Sequence, residues 1–417
     1  MSRVFGAFWR GLNLTRQIIL NLIFFLLLLL LIIAMSAGEA PTVPNGGALV
    51  VAPQGQLVEQ YSADPVQQAI NNALGQGRPQ TLLRTLTGAI ETAADDERIS
   101  VLVLKLDNFA GGALPQLREV ADAIETFKES GKPVIAIGDR YTQSQYFIAA
   151  HADTIMMHPL GSVVIRGLGF NQIYYKELSN QLGIDWNVVR VGDFKSAVEP
   201  MIRNDMSPEA RKNYSNLLGD LWATYQAEVT QARDLPPATL EKYVANLVEG
   251  LRELKGNAAE LALMSGLVDT LVSRETMRQH IIEIAGEDTE FGGYRGIYAD
   301  TYYKLNKAQR MLAKATKPRV AVIVASGVIM PGHSGPNRIG ADDLAARIND
   351  AVADDDIKAI VLRVHSPGGS AFASEIIHDA LLAAKASGKP VVVSMSGVAA
   401  SGGYWISLGA DQIWAYP

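Results

Sequence analysis

VVVSMSGVAASGGYWISLGADQIWAYP, residues 391–417, contains a strand, a turn and the start of a helix. The β-branched run Val391–Val393 reads as a buried strand, and Ala399-Ala400-Ser401-Gly402-Gly403 as a tight turn of small residues. Tyr404-Trp405-Ile406 then opens an apolar helical segment. A strand that feeds a helix through such a turn presents one hydroxyl where free backbone N–H groups favour a developing anion. The same pattern also suits a serine that merely caps the helix.

Moving upstream, the pattern around this stretch occurs twice, about 258 residues apart. Asp95-Asp96-Glu97-Arg98-Ile99 and the apolar run to Leu104 resemble Asp354-Asp355-Asp356-Ile357 and the run to Leu362. Gly111-Gly112 matches Gly368-Gly369, and Gly131-Lys132-Pro133-Val134 matches Gly388-Lys389-Pro390-Val391. Tyr146-Phe147-Ile148 with Ala152-Asp153 matches Tyr404-Trp405-Ile406 with Ala410-Asp411. This reads as a tandem duplication of a whole domain. Strands such as 99–106 and 134–137 alternate with helices such as 114–130, which predicts parallel α/β units.

The two repeats differ where chemistry would sit. Aligned on the Tyr-aromatic-Ile anchor, Ser401-Gly402-Gly403 faces Gln143-Ser144-Gln145. The first repeat thus loses the glycines and carries Gln143 at the serine position. It continues through apolar segments between 160 and 200 that read as strands and a helix, then through long helices over 206–233 and 238–263. The predicted layout is a first repeat at 48–285, a connection at 286–317 and a second repeat at 318–417. The second repeat lacks a counterpart to roughly 160–285, so the sequence reads as a piece of a longer chain.

Charge and composition exclude several classes. The chain has 417 residues, 37 Lys+Arg against 43 Asp+Glu, and no basic block, so nucleic acid is not an expected partner. It has no Cys, hence no disulfide or thiolate metal site, and its six His show no metal-ligand spacing. Ile18–Met35 is apolar except for Asn21, and its length as a helix, about 27 Å, approaches the bilayer core. Arg3, Arg10 and Arg16 precede it and Glu39 follows, which predicts a cytoplasmic segment at 1–17, a transmembrane anchor at 18–35 and a linker at 36–47. A cleaved signal peptide is the alternative, but its apolar region would be shorter.

A serine nucleophile needs a base and an oxyanion site. The G-x-S-x-G elbow is absent, because Ala399 stands at its first glycine. A buried lysine of lowered pKa can act as base, and Lys195 in Val189-Arg190-Val191-Gly192-Asp193-Phe194-Lys195-Ser196-Ala197-Val198-Glu199-Pro200 is a candidate. The alternative is an exposed lysine paired with Asp193 or Glu199. Ser366-Pro367-Gly368-Gly369-Ser370 lies between a strand and a helix and can offer backbone N–H groups, or be an ordinary Gly-rich turn. His365 is either another base or a core residue.

These loops, the duplication, the N-terminal apolar run and the Lys195-Ser196-Ala197-Val198-Glu199-Pro200 motif together resemble the signal peptide peptidase A (protease IV) family in its long, duplicated Gram-negative form. The resemblance implies tandem Clp protease/crotonase-like α/β domains, the second incomplete, behind a transmembrane helix. It implies a serine endopeptidase with Ser401 as nucleophile and Lys195 as general base, and an oxyanion hole from Gly368 and Gly402. No cofactor or metal is implied. The implied substrates are hydrophobic signal-peptide remnants or unfolded peptides. The implied setting is a homotetramer on the bacterial inner membrane, held in the bilayer through residues 18–35, with its catalytic domains periplasmic. A non-catalytic membrane scaffold and a crotonase-like acyl-CoA enzyme are the alternatives.

Overall fold

The computed structural model describes residues 2–36, 41–63, 65–288, 292–314 and 318–416. Parts of the expected linker (37–40) and connection (289–291 and 315–317) lie outside the described residues. Residues up to Thr42 form one unit and Val43 onward another. The first unit contains helix α1, Ser2–Ser36. Among the described residues no helix is long and apolar enough to cross a membrane. The side chains of residues 30–36 lie outside them, so the run read as the anchor, 18–35, is not described whole.

The second unit is built round two large parallel sheets. The first is built from β1 (Gly47–Val51), β2 (Ile99–Lys105), β3 (Val134–Gly138), β4 (Thr154–Met157), β5 (Thr270–Leu271) and β6 (Gly296–Tyr298), in the order β5-β4-β3-β2-β1-β6. The second contains β7 (Arg319–Ser326), β8 (Ile357–Ser366), β9 (Val391–Ala399) and β10 (Gln412–Trp414), in the order β7-β8-β9-β10. The order β1-β2-β3-β4 thus recurs as β7-β8-β9-β10. Even the fastenings recur. The Val134 and Val391 N–H groups each donate to an aspartate at the head of the next strand, Asp153 and Asp411, at 2.8 Å.

Two lysine corners repeat as well. Lys132 Nζ donates to the carbonyls of Ala93, Ala94 and Asp96, and Lys389 Nζ to those of Ala351 and Asp354. These carbonyls end the helices α2 (Leu83–Ala94) and α6 (Ala341–Ala353), whose last carbonyls have no partner within the helix. A lysine just before each following strand satisfies them.

The sheets differ in how they are covered. β2 is buried along most of its length on both faces, as a parallel strand between helices must be. α2 and α3 (Leu114–Lys128) cover one face, while Met277, Ile281 and Ala285 cover the other. β8 instead alternates: Ile360, Leu362, Val364 and Ser366 are buried and the residues between them only partly so. Its buried side packs on Ile377 and Leu381 of α7 (Ala371–Ala386). On the other side Val322, Val324, Val361, Arg363 and Ser394 line a cavity of about 1090 Å³.

Four expectations need correction. The apolar segments between 160 and 200 form no strands beyond Val163–Val164, and they are largely exposed. Val189 and Val191, read as part of a buried strand before Lys195, are 98% and 81% exposed. An isolated extended segment has no neighbour to satisfy its backbone, so apolar alternation alone does not make a strand. The stretch 238–263 breaks into three short helices around Asn246 and Asn257, while Pro208–Ala232 is one long helix, α5. The residues read as a connection also supply β6, the edge strand beside β1.

Candidate active site

β9 ends at Ala399, and Ala400 N–H donates to the Ser366 carbonyl at the end of the neighbouring strand β8. The next residue, Ser401, takes φ +51° and ψ −120°, a conformation that a side chain disfavours. Such backbone costs roughly 1–3 kcal/mol and persists only where the surroundings enforce it. They do so here: Gly403 N–H donates to the Ala400 carbonyl, and the Tyr404 and Trp405 N–H groups donate to that of Ser401. These bonds start the short helix α8, Gly402–Ser407. Ser401 itself is exposed, and its Oγ has no hydrogen-bond partner among the described residues. It is therefore no helix cap.

The glycines around it are required by space. A Cβ on Gly368, whose φ is +99°, would stand 2.6 Å from Gly402 N and 2.7 Å from Ser401 Cβ. One on Gly402 would collide with Ser374 Oγ, and one on Gly403 would meet the Ser366 carbonyl oxygen at 2.5 Å. The Ser366–Ser370 loop thus lies against the serine turn.

The loop is pinned from both sides. Ser366 Oγ donates to the Gly327 carbonyl and accepts from Gly368 N–H at 3.1 Å. Ile329 N–H donates to the Gly368 carbonyl, and Ser370 N–H to that of Ile329. Ser370 Oγ caps α7 by accepting from Ala373 N–H. Gly368 N–H, expected to face an oxyanion, is therefore occupied by Ser366. Gly369 N–H and Gly402 N–H have no acceptor among the described residues. The two glycines adjoin, since a Cβ on Gly402 would lie 3.2 Å from Gly369 N. The sequence alone names Gly368 and not Gly369 for this place, because the hydroxyl that engages Gly368 lies two residues away in the same motif.

Lys195 is exposed, and its Nζ has no partner among the described residues. It pairs with neither Asp193 nor Glu199. Glu199 is buried and accepts from both the N–H and the hydroxyl of Ser207, the residue that caps α5. No hydrogen bond or ion pair connects Lys195 to Ser401. His365 lies against Gly397, with its Nδ1 buried and unpartnered, and burial pushes its pKa down. It does not reach Ser401 by any hydrogen bond.

Behind the serine-bearing sheet, Arg363 donates to Glu59 at 2.9 Å, to Glu119, and to Ser394 Oγ at 2.8 Å. Glu59 also accepts from Ser396 Oγ and Gln116. Burial pushes both carboxyls up. For Glu59 the bonds from Arg363 and Ser396 outweigh it and hold the pKa low, whereas for Glu119 burial prevails over the pull of Arg363. This cluster ties the second sheet to α3 and to Glu59. For metals, Glu375, His378 and Asp379 on α7 bring ligand atoms within 4.8 Å of one another, though Glu375 already accepts from Trp405 Nε1.

The family model "Peptidase family S49" matches residues 126–283 and 383–417. "Protease 4" of Salmonella typhi is 40% identical over 98% of this chain and 66% of its own length. "Protease 4" of Haemophilus influenzae is 37% identical over 99% of this chain and 68% of its own. The chain spans about two thirds of the length of these relatives. Among solved structures, a membrane-bound stomatin-specific protease aligns over 61% of this chain and 97% of its own, at 14% identity and a TM-score of 0.30.

Proposed function

Because the chain belongs to peptidase family S49, we propose that it is a membrane-anchored serine endopeptidase whose nucleophile is Ser401 and whose general base is Lys195. The observation that carries this reading is the strained, exposed, unpartnered hydroxyl of Ser401 beside two free N–H groups. In the reaction, neutral Lys195 Nζ takes the Ser401 proton as Oγ attacks the peptide carbonyl. The oxyanion is held by Gly402 and Gly369 N–H, rather than by the engaged Gly368. Lys195 returns its proton to the leaving amine, and water then hydrolyses the acyl-enzyme by the same route.

A neutral lysine needs a dry site. The segment that bears Lys195 exposes Phe170, Ile173, Leu178, Trp186, Val189 and Phe194, which suits an interaction surface. In this reading Lys195 is desolvated when that surface packs in a homotetramer. Exposed Phe372, Tyr404, Trp405 and Leu408 near Ser401 suit hydrophobic signal-peptide remnants. The run at 18–35 anchors the chain in the inner membrane with the catalytic part periplasmic. The repeated strand order supports a tandem duplication, with repeats at 48–285 and 318–417 of the Clp protease/crotonase type. Ser401→Ala and Lys195→Ala in the full-length protein, assayed on a signal-peptide-like substrate, test the reading. Both should lose cleavage by about four orders of magnitude or more. Retained turnover in either variant would sink the dyad.

A further inference from the structure

Gln143 stands where the sequence alignment pairs the first repeat with Ser401, and both its side-chain oxygen and its carbonyl are engaged. Its Oε1 accepts from both Arg166 N–H (3.0 Å) and Gly167 N–H (3.1 Å). Its carbonyl accepts from Tyr225 Oη on α5 at 2.9 Å, and Tyr225 is buried, with its ring stacked on Trp222. Gln143 also opens helix α4, Gln143–Ala149, which is buried from Gln145 onward. One residue thus joins α4, α5 and the point where the chain leaves the body at Gly167, whose φ is +76°.

What leaves there is the exposed segment that carries Lys195. Past Gly167 its side-chain hydrogen bonds stay local: Trp186 Nε1 to Ser179, Arg190 to the Lys195 carbonyl, and Asn204 to Glu177. It meets the body again where Phe170 stacks on Tyr214 of α5 and where Glu199 holds Ser207. The point of departure is therefore held at Gln143, and the later course by the Phe170–Tyr214 stack and the Glu199–Ser207 bonds. Loss of the Oε1 acceptor frees two N–H groups at the hinge without touching Ser401, Gly369 or Gly402.

We infer that Gln143 is a positioning residue: the side chain at the vanished serine position aims the segment that delivers Lys195. This rests on the proposed role of Lys195. A displacement of about 1 Å in a catalytic group can cost roughly 100-fold in rate. In the full-length protein, Gln143→Ala should lower kcat about 10- to 100-fold with KM within twofold. Gln143→Glu, which keeps an acceptor oxygen at the same reach, should stay within about threefold of the parent. Should the alanine variant not fold, Gln143→Asn decides in its place, because its shorter side chain cannot reach both N–H groups. Parental kcat in the alanine or asparagine variant would overturn the inference, as would equal impairment of Gln143→Glu or a loss confined to KM. Lys195→Ala is measured alongside. If it retains activity the proposed dyad fails, whereas an inactive Lys195→Ala beside a fully active Gln143→Ala removes this inference alone.

Discussion

The turns after β3 and β9 follow strands that occupy the same place in two sheets of the same order, yet they close in opposite ways. After β9 the backbone itself makes the contact: Ala400 N–H bonds the Ser366 carbonyl, and Gly403 presses on that same oxygen. After β3 a side chain makes it, for Gln145 Nε2 donates to the Phe109 carbonyl while its Oε1 accepts from Thr142 N–H. Two glycines let chain approach chain and leave a hydroxyl strained and free. Two glutamines fill the gap and satisfy the nearby donors. The difference teaches that backbone proximity, more than the presence of a hydroxyl, sets the two turns apart, since Ser144 is also present and lies against Gly111.

That comparison can be broken most sharply by moving the hydroxyl. Gln143→Ser in a Ser401→Ala background should remain inactive on a peptide substrate, because Ser144 and Gln145 keep the turn from closing. Measurable cleavage would show that the turn's geometry is not what separates the two sites. Next in size, Gly402→Ala should lower kcat about 100- to 1000-fold, as loss of an oxyanion donor does, because its Cβ must push away from Ser374. Gly219→Ala, in open space on α5, serves as the control. Arg363→Ala strands Glu59, whose side chain is 7% exposed, and should cost about 3 kcal/mol in denaturant unfolding.

The smallest effect is confined to the first sheet. Asp96 is held down from 3.8 to about 2, first by the hydrogen bond from Arg98, against burial, and with help from Tyr302 Oη. A carboxyl depressed in the folded state contributes stability above its ordinary pKa and loses it as pH falls from about 4 to 2. Asp96→Asn should therefore flatten the acid limb of a Tm–pH curve and leave the second sheet's Asp354 corner unchanged.

Much of this was legible in the sequence. The spacing of Gly131-Lys132-Pro133 and Gly388-Lys389-Pro390 gave the strand starts, and the period of apolar residues gave the α/β alternation. The Ser401 turn announced itself by composition, since only glycines tolerate the contacts that Gly368 and Gly402 make. What stayed hidden depends on partners far along the chain. Nothing near Val189 says whether a neighbouring strand exists to cover it. The pairing of Gly296 with Ala48 joins residues almost 250 apart, and the tie between Ser366 Oγ and Gly368 N–H depends on a rotamer that composition does not show.

The lysine corners bear on how the protein comes apart. Each amine ties the end of a helix to the strand that follows within its own sheet, and neither reaches across. The second sheet is tied to the first half of the chain through Arg363, Glu59 and Glu119 instead. Cooperative units of local opening follow such boundaries. Hydrogen exchange tests this directly, by asking whether the serine-bearing sheet opens while the first sheet stays closed.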